Sequence, residues 1–165
     1  MANTANLGSI RRESFSTTAG AHRAPTAHMG ATVPEIEALT ERVIGCAIEV
    51  HRTLGPGLLE SVYRECMIIE LGREHLRVER ERCVPLEYKG ERISGGLRLD
   101  LLVESCLVVE LRVVERIHPI HLAQVITYLK LTGCPAGLLM NFNSTALRAG
   151  LRRLDHPDRY VKKTS

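Results

Sequence analysis

The chain has 165 residues, 44% of them hydrophobic and 25% charged, with a formal net charge of +3. This length predicts one domain with a real hydrophobic core, and the small net charge favours no class of partner over another. No apolar run approaches the roughly 20 residues of a membrane span, and the absence of tryptophan leaves few side chains on which single-stranded bases can stack.

The first 31 residues differ in composition from everything that follows. Residues 1–31 are rich in Ala, Ser, Thr and Gly and have no hydrophobic periodicity, which predicts a disordered tail. The arginines of this segment outnumber its one acidic residue, so an organellar transit peptide is an alternative, but we favour a solvated tail or a reading frame that begins at Met29. The predicted domain spans residues 32–156, and a short basic tail of residues 157–165 ends the chain.

A helix is predicted at the start of the domain. Thr32 and Glu35 have the spacing of a capping box, and Pro34 suits the first turn of a helix. Apolar residues then recur every three or four positions up to Leu54, as they do on one face of a helix. A Gly-Pro-Gly sequence at residues 55–57 ends this pattern.

The remaining elements are predicted from apolar runs and turn residues. A second helix is expected over residues 58–71, with Gly72 at its C-terminal cap. The predicted strands are residues 84–88, 97–103, 107–113 and 137–142, and the predicted later helices are residues 119–131 and 145–154. The order α-α-β-β-β-α-β-α predicts an α/β fold with a mixed central β-sheet flanked by helices.

Two of the predicted strands each carry one acidic residue in an otherwise apolar run. These residues are Asp100 and Glu110, and Arg112 shares a strand face with Glu110 because it follows at a spacing of two. Carboxylates on neighbouring strands, with a cation beside one of them, suit a divalent metal bound next to a phosphodiester. The alternatives are a salt bridge from Asp100 to Arg98 or Arg112, and a Glu110–Arg112 pair on an exposed strand, which the apolar sequence disfavours.

The predicted helices carry further candidate residues. Glu60 and Tyr63 lie one turn apart, so Glu60 is either a third carboxylate at the site or a first-turn acid matched to the helix dipole, with Tyr63 in the core. Gln124 and Tyr128 share a face of the later helix. An amide and a phenol at these positions are able to hydrogen-bond a phosphate, a base or the Glu110 carboxylate.

Histidine and cysteine give weaker signals. Three histidines are candidate metal ligands, although such residues more often lie on a surface or in a core: His51, His118 and His121. The five cysteines lie far apart with no CxxC pair, which predicts reduced thiols in a cytoplasmic protein and no structural zinc site.

These segments, in this order, resemble the GxxExxY protein family, which looks like a branch of the PD-(D/E)XK nuclease superfamily. The resemblance covers residues 34–154 and rests on the segments Gly57-Leu58-Leu59-Glu60-Ser61-Val62-Tyr63, Asp100-Leu101-Leu102-Val103, Val109-Glu110-Leu111, Ala123-Gln124, Tyr128-Leu129-Lys130 and Gly137-Leu138-Leu139-Met140-Asn141-Phe142. It implies a restriction-endonuclease-like core that binds Mg²⁺ or Mn²⁺ and cleaves DNA, with RNA as the alternative substrate. Because no recognition domain is appended, we expect a homodimer or a protein partner to supply substrate selection.

The resemblance also implies a role for each candidate residue. Asp100 and Glu110 are the strand acids that hold the metal, and Glu60 is the helical acid that reaches it directly or through water. Gln124 and Tyr128 are similar to the QxxxY element of RecB-like nucleases.

Arg112 departs from the family pattern, which has the lysine of a Glu-x-Lys motif at this position. An arginine side chain is always protonated, so it cannot act as a base, although its fork of donors is able to stabilise a phosphate. The sequence therefore predicts a metal-dependent nuclease weakened by Arg112. The alternative is a catalytically inactive nuclease-like module that binds nucleic acid or a protein partner.

Overall fold

The computed structural model describes residues 31–158, which form a five-stranded sheet with helices packed on both faces. The elements in chain order are α1 (Val33–Leu54), α2 (Glu60–Arg73), β1 (Val78–Tyr88), β2 (Glu91–Val103), β3 (Leu107–Arg112), α3 (Pro119–Thr132), β4 (Ala136–Asn141), a 3₁₀ turn (Leu147–Gly150) and β5 (Leu151–Asp155). Apart from residues 31, 157 and 158, the two predicted tails lie outside the described residues. Within residues 31–158, no helix has the length and apolar character needed to cross a membrane.

Helix α1 begins where the capping box predicts. The Glu35 carboxylate accepts hydrogen bonds from the Thr32 backbone N–H at 2.7 Å and from the Thr32 hydroxyl at 2.9 Å. Pro34 lies in the first turn, where its missing N–H costs nothing. The helix ends at Gly55, whose φ of 68° favours a residue without a Cβ.

Helix α2 continues past its predicted end. Gly72 lies inside the helix and not at its cap, because α2 runs to Arg73. The left-handed position that ends the helix is taken by His75, with a φ of 57°, and the next residue, Leu76, is then buried. The chain thus leaves the helix through His75, which directs Leu76 into the core. The prediction that Gly72 caps α2 is wrong.

The sheet is mixed, as predicted, with strand order β1-β2-β3-β4-β5. Strands β3 and β4 are parallel and are joined through α3, whereas the other neighbouring pairs are antiparallel. Strands β1 and β2 are each longer than predicted, because their first residues are charged or glycine-rich and give no apolar signal. In the antiparallel hairpin, the first residues of β1 pair with the last residues of β2, as Val78 does with Val103, and the first residues of β2 pair with the last of β1, as Glu91 does with Tyr88.

Helices α1 and α2 pack on one face of the sheet and α3 packs on the other. Residues of α1 and α2, such as Val43 and Met67, are fully buried against one set of alternating strand residues, including Val109. Residues of α3, such as Leu129, are buried against the opposite set, including Val108. The predicted α/β architecture with a flanked mixed sheet is confirmed.

The predicted closing helix over residues 145–154 is wrong. The chain instead makes the 3₁₀ turn and then β5, which pairs antiparallel with β4. A Cβ at Gly150 would lie 2.6 Å from the carbonyl oxygen of Asn141, so this turn needs glycine. Pairing with β5 also satisfies the backbone of β4, a fully buried strand that would otherwise be a sheet edge.

Candidate active site

The candidate site lies where β2 and β3 separate. Their last backbone pair towards the site joins Leu101 to Val109. Beyond it, the Glu110 carboxylate accepts a hydrogen bond from the Asp100 N–H at 3.0 Å. The Asp100 carboxylate in turn accepts one from the Leu111 N–H at 2.9 Å. Each carboxylate thus accepts a hydrogen bond from a backbone N–H of the opposite strand, where a backbone carbonyl oxygen would accept it in a continuous sheet. These two hydrogen bonds hold both carboxylates at the gap.

The Arg112 guanidinium lies among the three acids named by the sequence. Its Nη1 atom is 3.1 Å from Glu110 Oε2, 3.6 Å from Asp100 Oδ2 and 3.9 Å from Glu60 Oε2. Glu110 is only 2% exposed, whereas the Glu60 side chain is 38% exposed and forms the open side of the cluster. The structure therefore brings Glu60, Asp100, Glu110 and Arg112 together, from one helix and two strands.

Gln124 and Tyr128 hold the other side of this guanidinium. Arg112 Nη2 donates a short hydrogen bond to Gln124 Oε1. Gln124 Nε2 donates to the Tyr128 hydroxyl at 3.0 Å, and that hydroxyl donates to the Arg98 carbonyl oxygen at 2.7 Å. The amide and the phenol therefore link α3 to β2 and position Arg112, whereas the sequence led us to expect contact with a phosphate, a base or Glu110.

Arg64 is a member of the site that sequence reasoning missed. Its Nη1 atom donates to Asp100 Oδ1 at 2.8 Å, and its Nη2 atom lies 3.7 Å from Glu81 Oε1. The signal for Arg64 was present, since it follows Glu60 by four residues and so lies on the same face of α2. Glu81 gave no signal, because it lies in a run of alternating acids and arginines in β1.

The salt-bridge alternatives for Asp100 are partly met. Asp100 pairs with Arg64 and Arg112, but Arg98 pairs instead with Glu81 at 3.6 Å. The alternative of an exposed Glu110–Arg112 pair is wrong, because Glu110 is buried.

Burial controls the electrostatics of the acids. Burial raises the pKa of Glu110 to about 8, the negative charge of Asp100 adds to the rise, and the Asp100 N–H and the Arg112 guanidinium oppose it. The pKa of Glu60 is also raised, by burial first and by Asp100 second, while Arg112 and Arg64 lower it. Burial and the charge of Glu110 raise the pKa of Tyr128. The acids therefore repel one another and require positive charge between them.

The three histidines do not join the acids. His51 is buried, and its Nε2 lies 2.8 Å from the carbonyl oxygen of Ser144, so it is a core residue. At the start of α3, the His118 N–H donates to His121 Nδ1 at 3.2 Å. Burial, Arg112 and His118 together lower the pKa of His121. Within residues 31–158, no group of three or more His, Cys, Asp or Glu side chains has the arrangement of a metal site.

The donor atoms suit a divalent metal, but their arrangement does not. Carboxylate oxygens are the hard ligands that Mg²⁺ and Mn²⁺ prefer. All four carboxylate oxygens of Asp100 and Glu110 already have partners, which are Arg64, Arg112 and two backbone N–H groups. The space between the acids contains the Arg112 guanidinium, so the described conformation does not fit a metal there.

Comparison with known proteins places the chain in a family. A family model described as the PD-(D/E)XK nuclease superfamily matches residues 37–154, a span that includes every candidate residue named above. No curated protein and no solved structure gave a match. The match supports the superfamily, while the narrower resemblance to GxxExxY proteins stays a prediction.

Proposed function

Because the chain belongs to the PD-(D/E)XK nuclease superfamily, we propose that it is a nuclease that cleaves DNA phosphodiesters with Mg²⁺ or Mn²⁺. The observation that carries this proposal is the convergence of three acids on one cation at the gap between β2 and β3. The proposed catalytic residues are Glu60, Asp100, Glu110, Arg112, Gln124 and Tyr128.

The roles follow from the chemistry of each side chain. Glu60, Asp100 and Glu110 would supply the oxygen ligands of a divalent ion, and that ion would supply Lewis acidity towards the phosphate. Arg112 stabilises negative charge on the scissile phosphate, since its guanidinium donates in a fork that matches two phosphate oxygens. It does not remove a proton from water, because arginine stays protonated. We therefore propose that the native protein cleaves slowly.

A cleavage assay tests this proposal. Purified protein is incubated with supercoiled plasmid DNA and, separately, with single-stranded RNA, in Mg²⁺ or Mn²⁺. We expect slow nicking of DNA that is lost in Asp100→Asn and Glu110→Gln. Glu41→Gln, which changes an exposed carboxylate of α1, is the matched control and should cleave like the native protein. Nicking that survives Asp100→Asn would place the activity elsewhere or in a contaminant.

The second candidate is a nuclease-like module that binds nucleic acid or a protein partner without cleaving. It is favoured by the two guanidinium groups of Arg64 and Arg112, which already neutralise much of the acidic charge. DNA binding measured by fluorescence anisotropy, without cleavage under any metal condition, would select this candidate. Both proposals include selection of the substrate by a second copy of the chain or by a protein partner. Light scattering of the protein with and without DNA measures whether it forms a dimer.

A further inference from the structure

The place of Arg112 among the acids has a consequence for metal binding. We infer that Arg112 is a resident cation, whose guanidinium occupies the position between Glu60, Asp100 and Glu110 and excludes a divalent ion until it moves away. This inference rests on the proposed nuclease site, and it concerns occupancy of that site as distinct from proton transfer.

Distances support exclusion. Arg112 Nη1 lies 3.1 to 3.9 Å from one oxygen of each acid. A Mg²⁺ ion held by oxygens requires about 2.0 to 2.1 Å to each of them, and so needs to enter the same small space. Two cations a few ångströms apart in a buried site repel strongly, because the local dielectric constant is low. Ion and guanidinium therefore compete for the same oxygens.

The guanidinium is held in place by its own contacts. Nη1 donates to the Leu111 carbonyl oxygen at 2.5 Å, and Nη2 donates to Gln124, which Tyr128 holds in turn. The Arg112 side chain is only 15% exposed. These contacts use both terminal nitrogens of the guanidinium. A lysine side chain is shorter and has one nitrogen, so it cannot make the same set of contacts. Replacement of the motif lysine by arginine therefore closes the acidic site.

Arg64 provides a matched comparison for Arg112. Both are largely buried guanidinium groups with one hydrogen bond or ion pair to Asp100. Among the three acids, Arg64 forms an ion pair with Asp100, whereas Arg112 contacts all three. Removal of either charge strengthens the attraction of the site for a metal. Removal of Arg112 also vacates the central position.

The test is Mn²⁺ binding without DNA, measured by electron paramagnetic resonance of the free ion. We expect weak binding by the native protein and binding about tenfold tighter or more in Arg112→Met. Arg112→Lys should give an intermediate gain, and Arg64→Met a smaller gain than Arg112→Met. Adding Asp100→Asn to Arg112→Met should abolish the gain.

Melting temperature gives an independent readout. Without metal, Arg112→Met should melt below the native protein, because the buried Glu110 loses its ion pair with Arg112 at 3.1 Å and Asp100 keeps Arg64 but loses its second guanidinium. Added Mn²⁺ should raise the melting temperature of Arg112→Met more than that of the native protein. If Arg112→Met does not fold, Arg112→Lys carries the same comparison, since it keeps a positive charge.

Three results would overturn the inference. In the first, the native protein and Arg112→Met bind Mn²⁺ with equal affinity, and Asp100→Asn abolishes this binding. That result would show that Arg112 does not exclude the ion, and it would leave the proposed function standing. An equal gain in Arg64→Met and Arg112→Met would show that charge, and not occupancy, controls binding. Absence of Mn²⁺ binding in every variant would overturn both the inference and the metal-dependent function.

Discussion

The hydrogen bonds of Tyr128 predict a specific cost for Tyr128→Phe. The phenylalanine ring fills the same space, so no cavity forms, but the Arg98 carbonyl and the Gln124 amide each lose a partner in a partly buried position. Unsatisfied buried groups of this kind cost about 1 to 3 kcal/mol of unfolding free energy. We expect a loss in this range, measured by urea denaturation and circular dichroism.

Tyr63→Phe is the matched control for that variant. Tyr63 is also fully buried, and its hydroxyl also has two partners: it donates to the Gly55 carbonyl at 2.6 Å and accepts from the Leu58 N–H at 3.2 Å. We expect a similar loss of stability in both variants. Because only Tyr128 anchors the amide that holds Arg112, only Tyr128→Phe should tighten Mn²⁺ binding. A loss below about 0.5 kcal/mol in Tyr128→Phe, or equal Mn²⁺ affinities in the two variants, would refute this reasoning.

Two further predictions concern stability. Gly150→Ala places a Cβ 2.6 Å from the Asn141 carbonyl oxygen and should lower the free energy of unfolding by about 1 to 3 kcal/mol. Gly45→Ala lies inside α1 with open space around it and should raise the free energy of unfolding by up to about 1 kcal/mol. Thermal denaturation of both variants measures these changes. In metal-free protein, the free energy of unfolding should fall as pH rises from 4.5 towards about 8, because the folded protein keeps a proton on Glu110 that the unfolded chain has released. Glu110→Gln should flatten this pH dependence in urea titrations, and an unchanged slope would show that another group causes it.

The strand acids were predictable because the signal for them is local. Asp100 and Glu110 interrupt apolar runs, and a spacing of two decides that Glu110 and Arg112 share a face, whatever the rest of the fold does. The mixed sheet was equally predictable from the order of helical and strand-like segments. These features need no knowledge of distant contacts.

The parts that could not be predicted depend on contacts distant in sequence. Residues 145–154 have a helical pattern, but residues 151–155 form β5 because the buried strand β4 needs a hydrogen-bonding neighbour on that side. The local sequence does not contain this information. The contact of Arg64 with Asp100 spans 36 residues, and that of Arg112 with Gln124 crosses from β3 to α3. Whether an arginine lies between carboxylates or beside them is decided by such contacts, and residue spacing does not encode them.

Plasmid nicking by the native protein, Arg112→Lys and the double variant Arg112→Lys/Asp100→Asn tests most directly whether the acids at the gap form a nuclease site that Arg112 weakens. With Mn²⁺ present, we predict slow nicking by the native protein and nicking about tenfold faster or more by Arg112→Lys, since lysine leaves the acids open to the ion and can assist proton transfer. The double variant should not nick. Fast nicking by the native protein that Arg112→Lys does not increase, or nicking that persists in the double variant, would contradict this account.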